Sequence, residues 1–213
     1  RGKIWRRIKA WQGRPKGPTC SMVKDAGARK AAIIDPGENA DAILAAVAQD
    51  DPEMQVESIL LTHGHYDHVC AIPALRETLP NVPVYIHRAD FEDKPSELFP
   101  LPRDLPLVRF YDDGDTVMVG DIPVEVFHTP GHSAGSVTLK VDDVLFTGDT
   151  LFAGSCGRTD FPDGSYEQII ASLRRLGQMG GRFTVCPGHE GMSTLEQERR
   201  HNYYMVQALQ GEG

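Results

Sequence analysis

No stretch of these 213 residues approaches the roughly 18 uninterrupted apolar positions that a transmembrane helix requires, which speaks against a membrane partner. The opening segment, including IWRRIKAW, also lacks the apolar core of roughly 7 to 15 residues that marks a secretory signal, although a leader removed upstream of Arg1 would leave no trace. Cysteine is scarce and scattered. Cys20, Cys70, Cys156 and Cys186 form no CxxC pair, a poor disulfide framework that points instead to reduced thiols in a cytoplasmic protein. Neither Cys156 nor Cys186 sits in a recognisable nucleophile pattern. Basic charge is also short, with 22 Lys and Arg against 30 Asp and Glu, and a net charge of -8 argues against nucleic acid as the main partner. What basic charge there is crowds the start, at Arg1, Lys3, Arg6, Arg7, Lys9, Arg14 and Lys16, and reads better as a solvated first strand than as a tail for anionic surfaces. Repeats and low-complexity linkers are missing too. With 40% hydrophobic residues, the chain reads as one domain over residues 1–213, long enough to bury a full core.

What is present alternates between apolar runs and turn signals. AAIID (31–35) reads as a strand closed by Asp35-Pro36-Gly37, and residues 39–49 carry helical apolar spacing. SILLT (58–62) predicts a second buried strand, VCAIPALRETL a helix with proline near its first turn, and VPVYIH (82–87) a further strand. From about 108 to 150 the segments TVMVG, IPVEVFH, SVTLKV and DVLFTGD read as strands separated by Gly-Asp and Asp-Asp turns. SYEQIIASLRRLG (165–177) is the clearest helix, with Ile169, Ile170, Leu173 and Leu176 on one face and Gly177 as its stop. RFTVCPGH predicts a last strand and TLEQERRHNYYMVQAL a last helix, while the Pro-rich segment 92–107 predicts a long loop.

Polar residues gather where the predicted strands end. His63, His65, Asp67 and His68 follow SILLT, His132 follows VEVFHTPG, Asp149 ends VLFTG and His189 ends FTVCPG. Loops at strand ends converge while the strands hold them rigid, and Gly64, Gly131, Gly148 and Gly188 adjoin these residues as tight turns near a metal would require. A lone histidine is more often a core or surface residue than a ligand, but seven such residues in one repeated context point to a metal site. Imidazole nitrogen and carboxylate oxygen suit zinc first, with iron or manganese as alternatives, and a carboxylate can bridge two divalent ions. That role falls to Asp149. Two ions about 3.5 to 4 Å apart can hold a water, lower its pKa and clamp a substrate oxygen, which serves hydrolysis of esters, thioesters, amides or phosphodiesters alike. His87, His128 and His201 read as structural or surface residues.

The motifs HxHxDH at 63–68, HTPGHSAGS at 128–136, FTGDTLF at 146–152 and PGHEG at 187–191 together resemble the metallo-β-lactamase superfamily, over nearly the whole chain. Within it, GSCGRTDFPDGS (154–165) and ERRHN (198–202) resemble the short glyoxalase II-like hydrolases. The resemblance implies an α/β fold, a four-layer αββα sandwich. It also implies that His63, His65 and His132 hold one metal and Asp67, His68 and His189 a second, with Asp149 bridging and with Asp67 and Asp149 catalytic. The activity implied is metal-dependent hydrolysis of a small-molecule thioester such as a 2-hydroxyacylglutathione. Persulfide dioxygenases share HxHxDH and the CGRTDF stretch, but by the same resemblance bind one iron through the positions of His63, His132 and Asp149, so an oxygenase stands as the alternative.

One departure bears on the substrate. Glutathione-using relatives carry a basic residue after Cys-Gly, kept here as Arg158 and assigned to substrate binding. They also carry a tyrosine two positions past the last ligand histidine, where Gly191 stands, and the long glyoxalases II have an aromatic where Asp160 stands. Tyr203 or Tyr204 is the expected substitute. Asp160, Asp163 and Tyr166 near Arg158 also fit a helix start capped by Ser165.

Overall fold

The computed structural model describes residues 9–12 (backbone only), 19–94 and 96–211. Among them, one six-stranded sheet runs in the order β1 (Lys9–Gln12), β2 (Thr19–Asp25), β3 (Lys30–Ile34), β4 (Gln55–Leu60), β5 (Val84–Ile86) and β6 (Val108–Phe110). β1, β2 and β3 pair antiparallel, while β3 to β6 are parallel neighbours. Parallel neighbours need crossovers rather than tight turns. These crossovers carry α1 (Ala40–Ala48), α2 (Tyr66–Val69) and α3 (Ile72–Thr78), and after β5 the expected long loop. The second sheet takes β7 (Thr116–Val119), β8 (Ile122–His128), β9 (Val137–Val141) and β10 (Val144–Gly148). After the hairpin β11 (Leu151–Phe152) and β12 (Ser155–Cys156) come β13 (Thr184–Pro187) and β14 (Ser193–Thr194), giving the order β14-β13-β10-β9-β8-β7. α4 (Tyr166–Gly177), α5 (Leu195–His201) and α6 (Tyr203–Gln210) complete the described chain.

Strand periodicity sorts the apolar residues into three layers, because successive side chains leave opposite faces of a sheet. Ile33 of β3, Ile59 of β4 and Leu61 just after it pack outward against Ile43 and Val47 of α1 and Ile72 and Leu75 of α3. Their neighbours Ala32, Ile34 and Leu60 face inward to meet Val124, Val126, Leu139 and Phe146 of the second sheet. Leu145 and Val185 then face outward again, under Leu173 and Leu176 of α4, Leu195 of α5 and Met205 of α6. Sheets covered on both faces read as continuous apolar runs, which is why AAIID and SILLT show no alternation. The four layers are the expected αββα sandwich.

Lys24 is buried at 4% exposure yet sits well, because its ammonium donates to the carbonyls of Ala46 and Val47 at 2.6 and 2.8 Å and so closes the C-terminal end of α1. The last helix is not one helix, as the sequence predicts, but two. Asn202 leaves helical geometry (φ -75, ψ 114), ends α5 and caps α6 through its side-chain oxygen, while its amide nitrogen donates to Glu198 and to the carbonyls of Phe152 and Ser155. Gly177 lies inside the last turn of α4 rather than stopping it. Of the basic opening residues, Lys9 begins β1, and Arg1, Lys3, Arg6, Arg7, Arg14 and Lys16 lie outside the described residues.

Candidate metal centre

β8 and β10 both run antiparallel to β9, and β13 runs parallel to β10, so three strands of the second sheet end at the same edge. The segment after β4 reaches that edge from the first sheet, where the Val137 N–H donates to the Thr62 carbonyl at 2.8 Å. This edge carries His63, His65, Asp67, His68, His132, Asp149 and His189. One ligand atom each from His63, His65 and His132 lies within 4.8 Å of the others, and the same holds for Asp67, His68, Asp149 and His189.

The outer hydrogen bonds orient the rings. Thr62 Oγ1 donates to Asp35 Oδ2 at 2.6 Å and is 3.1 Å from His63 Nδ1, which places the ring proton there and leaves His63 Nε2 as an inward lone pair. His68 Nδ1 donates to Asp35 Oδ2 at 3.0 Å, and His132 Nδ1 to the Arg158 carbonyl at 2.8 Å, with the same result for their Nε2 atoms. Asp149 faces these atoms: its carboxylate lies 3.2 Å from His68 Nε2, 3.4 Å from His132 Nε2 and from His189 Nε2, and 3.9 Å from His63 Nε2. His189 Nε2 is also 3.1 Å from Asp67 Oδ2. His65 Nδ1 stands 2.9 Å from His132 Nε2. The Nε2 atoms of His63 and His68 and Oδ1 of Asp149 are buried without an aligned hydrogen-bond partner. Ring nitrogens turned toward a carboxylate at such separations need protons or metal cations between them. The donor set fits transition-metal ions.

Protonation in the metal-free centre follows from the same crowding. Burial, with His68 and His132 beside it, holds His63 well below its ordinary pKa, and burial with the nearby His132 takes His65 down to about 4. His68 moves well above the ordinary value and His189 to about 9, because in both cases burial is outweighed by carboxylates, Asp149 and Asp35 for His68, Asp149 and Asp67 for His189. Asp149 stays ionised despite burial, held down by His68 and His189. Without metal, protons on His68 and His189 thus balance the carboxylates.

Gly188 is where the backbone must come close. A Cβ there would meet Asp149 Oδ1 at 2.4 Å and His68 Cε1 at 2.6 Å, so no other residue fits between the ligands. Above the cluster opens a cavity of about 340 Å³, walled by Tyr66, Leu98, Phe152, Phe161 and Arg158. The Phe161 ring packs edge-on to His65 at 5.1 Å, and the Arg158 guanidinium lies 4.4 Å over its other side. Arg158 therefore borders the cavity, but it is also paired with Asp160, whereas Asp163 pairs with Lys94 at 3.1 Å. Ser165 does cap α4. Tyr203 and Tyr204 do not line the cavity: Tyr203 is exposed, and Tyr204 packs beside the layer under α4 and α6. Tyr66, inside the HxHxDH stretch, is the tyrosine that does.

Of the remaining histidines, His87 and His128 approach Asp112 closely enough to suggest a further metal set. Their rings are stacked at 4.4 Å and 5° from parallel, so no ion can lie in the plane of both. His87 Nδ1 accepts the Ala89 N–H at 3.1 Å, which leaves its proton on Nε2, pointed at Asp112. The pair is structural, as the sequence reading has it, and His201 is an exposed residue ending α5. Two residues the sequence did not single out matter more. Asp35, read as a turn residue, takes a left-handed φ of 52° and directs its carboxylate to Thr62 and His68. Asp90 is a buried carboxylate behind the cluster.

The family model described as the metallo-β-lactamase superfamily matches residues 13–189. The chain belongs to that superfamily. Among curated relatives, a hydroxyacylglutathione hydrolase, GloC, from Haemophilus influenzae is 34% identical over 200 residues, covering 87% of this chain and 92% of its own. Among solved structures, the B3 metallo-β-lactamase BLEG-1 superposes with a TM-score of 0.80 at 29% identity, covering 94% of this chain and all of its own. A protein named TTHA1623, solved in a di-iron-bound form, superposes at 0.77 with 31% identity, covering 92% of this chain and all of its own. Membership of the superfamily agrees with the His/Asp clusters and with metal-dependent enzyme chemistry. No helix among the described residues is long and apolar enough to cross a membrane.

Proposed function

We propose that this protein is a dinuclear metal-dependent hydrolase that cleaves a small-molecule thioester of the 2-hydroxyacylglutathione type. One observation carries the reading: two ligand clusters meet at a shared carboxylate, Asp149, on the floor of a cavity lined by aromatics and one arginine. His63, His65 and His132 would hold one divalent ion and Asp67, His68 and His189 the other, zinc before iron or manganese. Held by these residues, the ions would supply a water of lowered pKa and Lewis-acid polarisation of a thioester carbonyl. Asp149 fixes the spacing of the two clusters, and Asp67 presents an ionised carboxylate to the cavity beside it. Phe161 packs against His65 and Phe152 against His189, which gives the cavity apolar walls beside the cluster. Arg158 at the rim offers its fork to an acidic group on the thiol carrier. The hydrolase GloC supports the thioester, and the di-iron relative supports two ions. Four free thiols and the net charge of -8 support a cytoplasmic protein acting on a small molecule rather than on nucleic acid.

The experiment that tests the reading combines metal analysis with a panel of thioesters, a β-lactam, and oxygen uptake on glutathione persulfide. Thioester turnover with two ions bound supports it. Oxygen uptake with a single iron bound would replace it with the persulfide dioxygenase.

A further inference from the structure

All three first-cluster histidines sit on two loops, His63 and His65 after β4 and His132 after β8, and one side chain joins them. Asp90 closes a 3-10 turn that follows β5 (Arg88–Asp90) and is 2% exposed. Its Oδ2 accepts the N–H of Gly64, the residue between His63 and His65, at 2.9 Å, and the hydroxyl of Ser133, the residue after His132, at 2.7 Å. Its Oδ1 accepts the Gly135 N–H at 2.6 Å. Ser136 completes the chain, since its hydroxyl lies 2.7 Å from Ser133 Oγ and accepts the Ser133 N–H at 3.2 Å. The contact is close on the backbone side too, because a Cβ on Gly135 would fall 2.6 Å from Asp90 Oδ1.

We infer that Asp90 is the positioning residue of the first metal site: its carboxylate fixes the distance between the His63–His65 loop and the His132 loop. The inference rests on the two-metal reading above. Asp35 bonds His68 of the second cluster directly and reaches the first only through Thr62 beside His63, whereas Asp90 holds the two first-cluster loops, so loss of Asp90 falls mainly on the first site. A carboxylate is required because all three neighbours donate to it. An amide in its place turns N–H toward one of them and leaves a buried donor without an acceptor.

The test is a cobalt(II) titration of the full, chelator-stripped chain, read by calorimetry and by the visible absorption of the bound ions. Wild type should take two ions. Asp90→Asn should weaken one binding step by roughly ten- to a hundredfold and change its absorption bands, while the other step stays within about threefold and the far-ultraviolet dichroism is unchanged. In a His132→Ala background, which disables the same site, Asp90→Asn should weaken the remaining step by no more than about threefold. Ser133→Ala, which removes one of the three donors, gives a milder loss at the same step and serves if Asp90→Asn does not fold. Two unchanged steps, or both steps weakened equally with a lower melting temperature, would overturn the inference. If wild type binds one ion only, the two-metal reading fails by itself, and the inference is then decided by whether Asp90→Asn weakens that ion.

Discussion

Arg158 lays two nitrogens of its guanidinium on the two carboxylate oxygens of Asp160, each at 2.6 Å, and the exposed pair sits at the rim of the cavity over the histidine cluster. The bond holds Asp160 down to about 2, so the pair is ionised at every working pH. Exposed ion pairs are weak in water. Asp160 takes Nε and Nη2, so a substrate carboxylate would have to displace it or meet the guanidinium at Nη1 beside a like charge, and Asp160 opposes it either way.

The consequence is a selective effect on KM. Arg158→Ala should raise KM for an acidic thioester roughly tenfold and leave a small neutral thioester almost unchanged, with kcat similar for both. Asp160→Asn should move KM for the acidic substrate in the opposite direction. Initial rates on the two substrates decide it, and an equal loss on both would leave Arg158 as no more than the partner of Asp160.

The candidate ligand residues were legible because they gather just past apolar strands with Gly64, Gly131, Gly148 and Gly188 among them, a local signal that survives without knowledge of the fold. AAIID and SILLT read as strands covered on both faces, and the αββα order of the layers came from the family resemblance rather than from that pattern. Asp35 and Asp90 were not. Each acts on residues 26 or more positions away through a bond set only by the packing of the sheets, and in sequence each resembles an ordinary turn acid. The break at Asn202 was hidden as well, because an asparagine inside an apolar helical pattern shows its role only once the carbonyls of Phe152 and Ser155 are beside it.

Metal content should reach about two ions per chain after purification without chelator, because seven nitrogen and oxygen ligands converge around Asp149. Elemental analysis after supplying zinc, iron or manganese checks it. A ceiling of one ion would sink the dinuclear reading.

Asp149→Ala should abolish most hydrolysis, by roughly a hundredfold or more, and lower metal content, while the dichroism spectrum stays close to wild type. The fold survives because Asp149 lies beyond the end of β10 and the apolar layers do not include it. Near-normal turnover in this variant would show that the shared carboxylate is not what spaces the two clusters.

The opposite edge of the sandwich supplies a pH-dependent test of stability that does not involve the metals. Asp25, at the end of β2, accepts the N–H groups of Gly27 and Ala28 at 3.0 and 3.1 Å and that of Asp121, in the β7–β8 turn, at 2.8 Å, so one carboxylate ties the two sheets together. The Asp121 bond, against the effect of burial and with help from Ala28 and Gly27, lowers its pKa below the ordinary 3.8. A depressed folded value means that the ionised form favours the native state: the stabilisation is complete above the ordinary value and disappears as pH falls through the lowered one. Asp25→Asn should therefore cost about 1 kcal/mol or more at neutral pH, roughly 2 to 4 °C in Tm, by leaving one of three N–H groups without an acceptor. Measured on chelator-stripped protein, the gap between wild type and variant should hold from pH 7 to about pH 4 and close below that. A gap that persists unchanged to about pH 3 would mean that the charge of Asp25 is not what joins the sheets there.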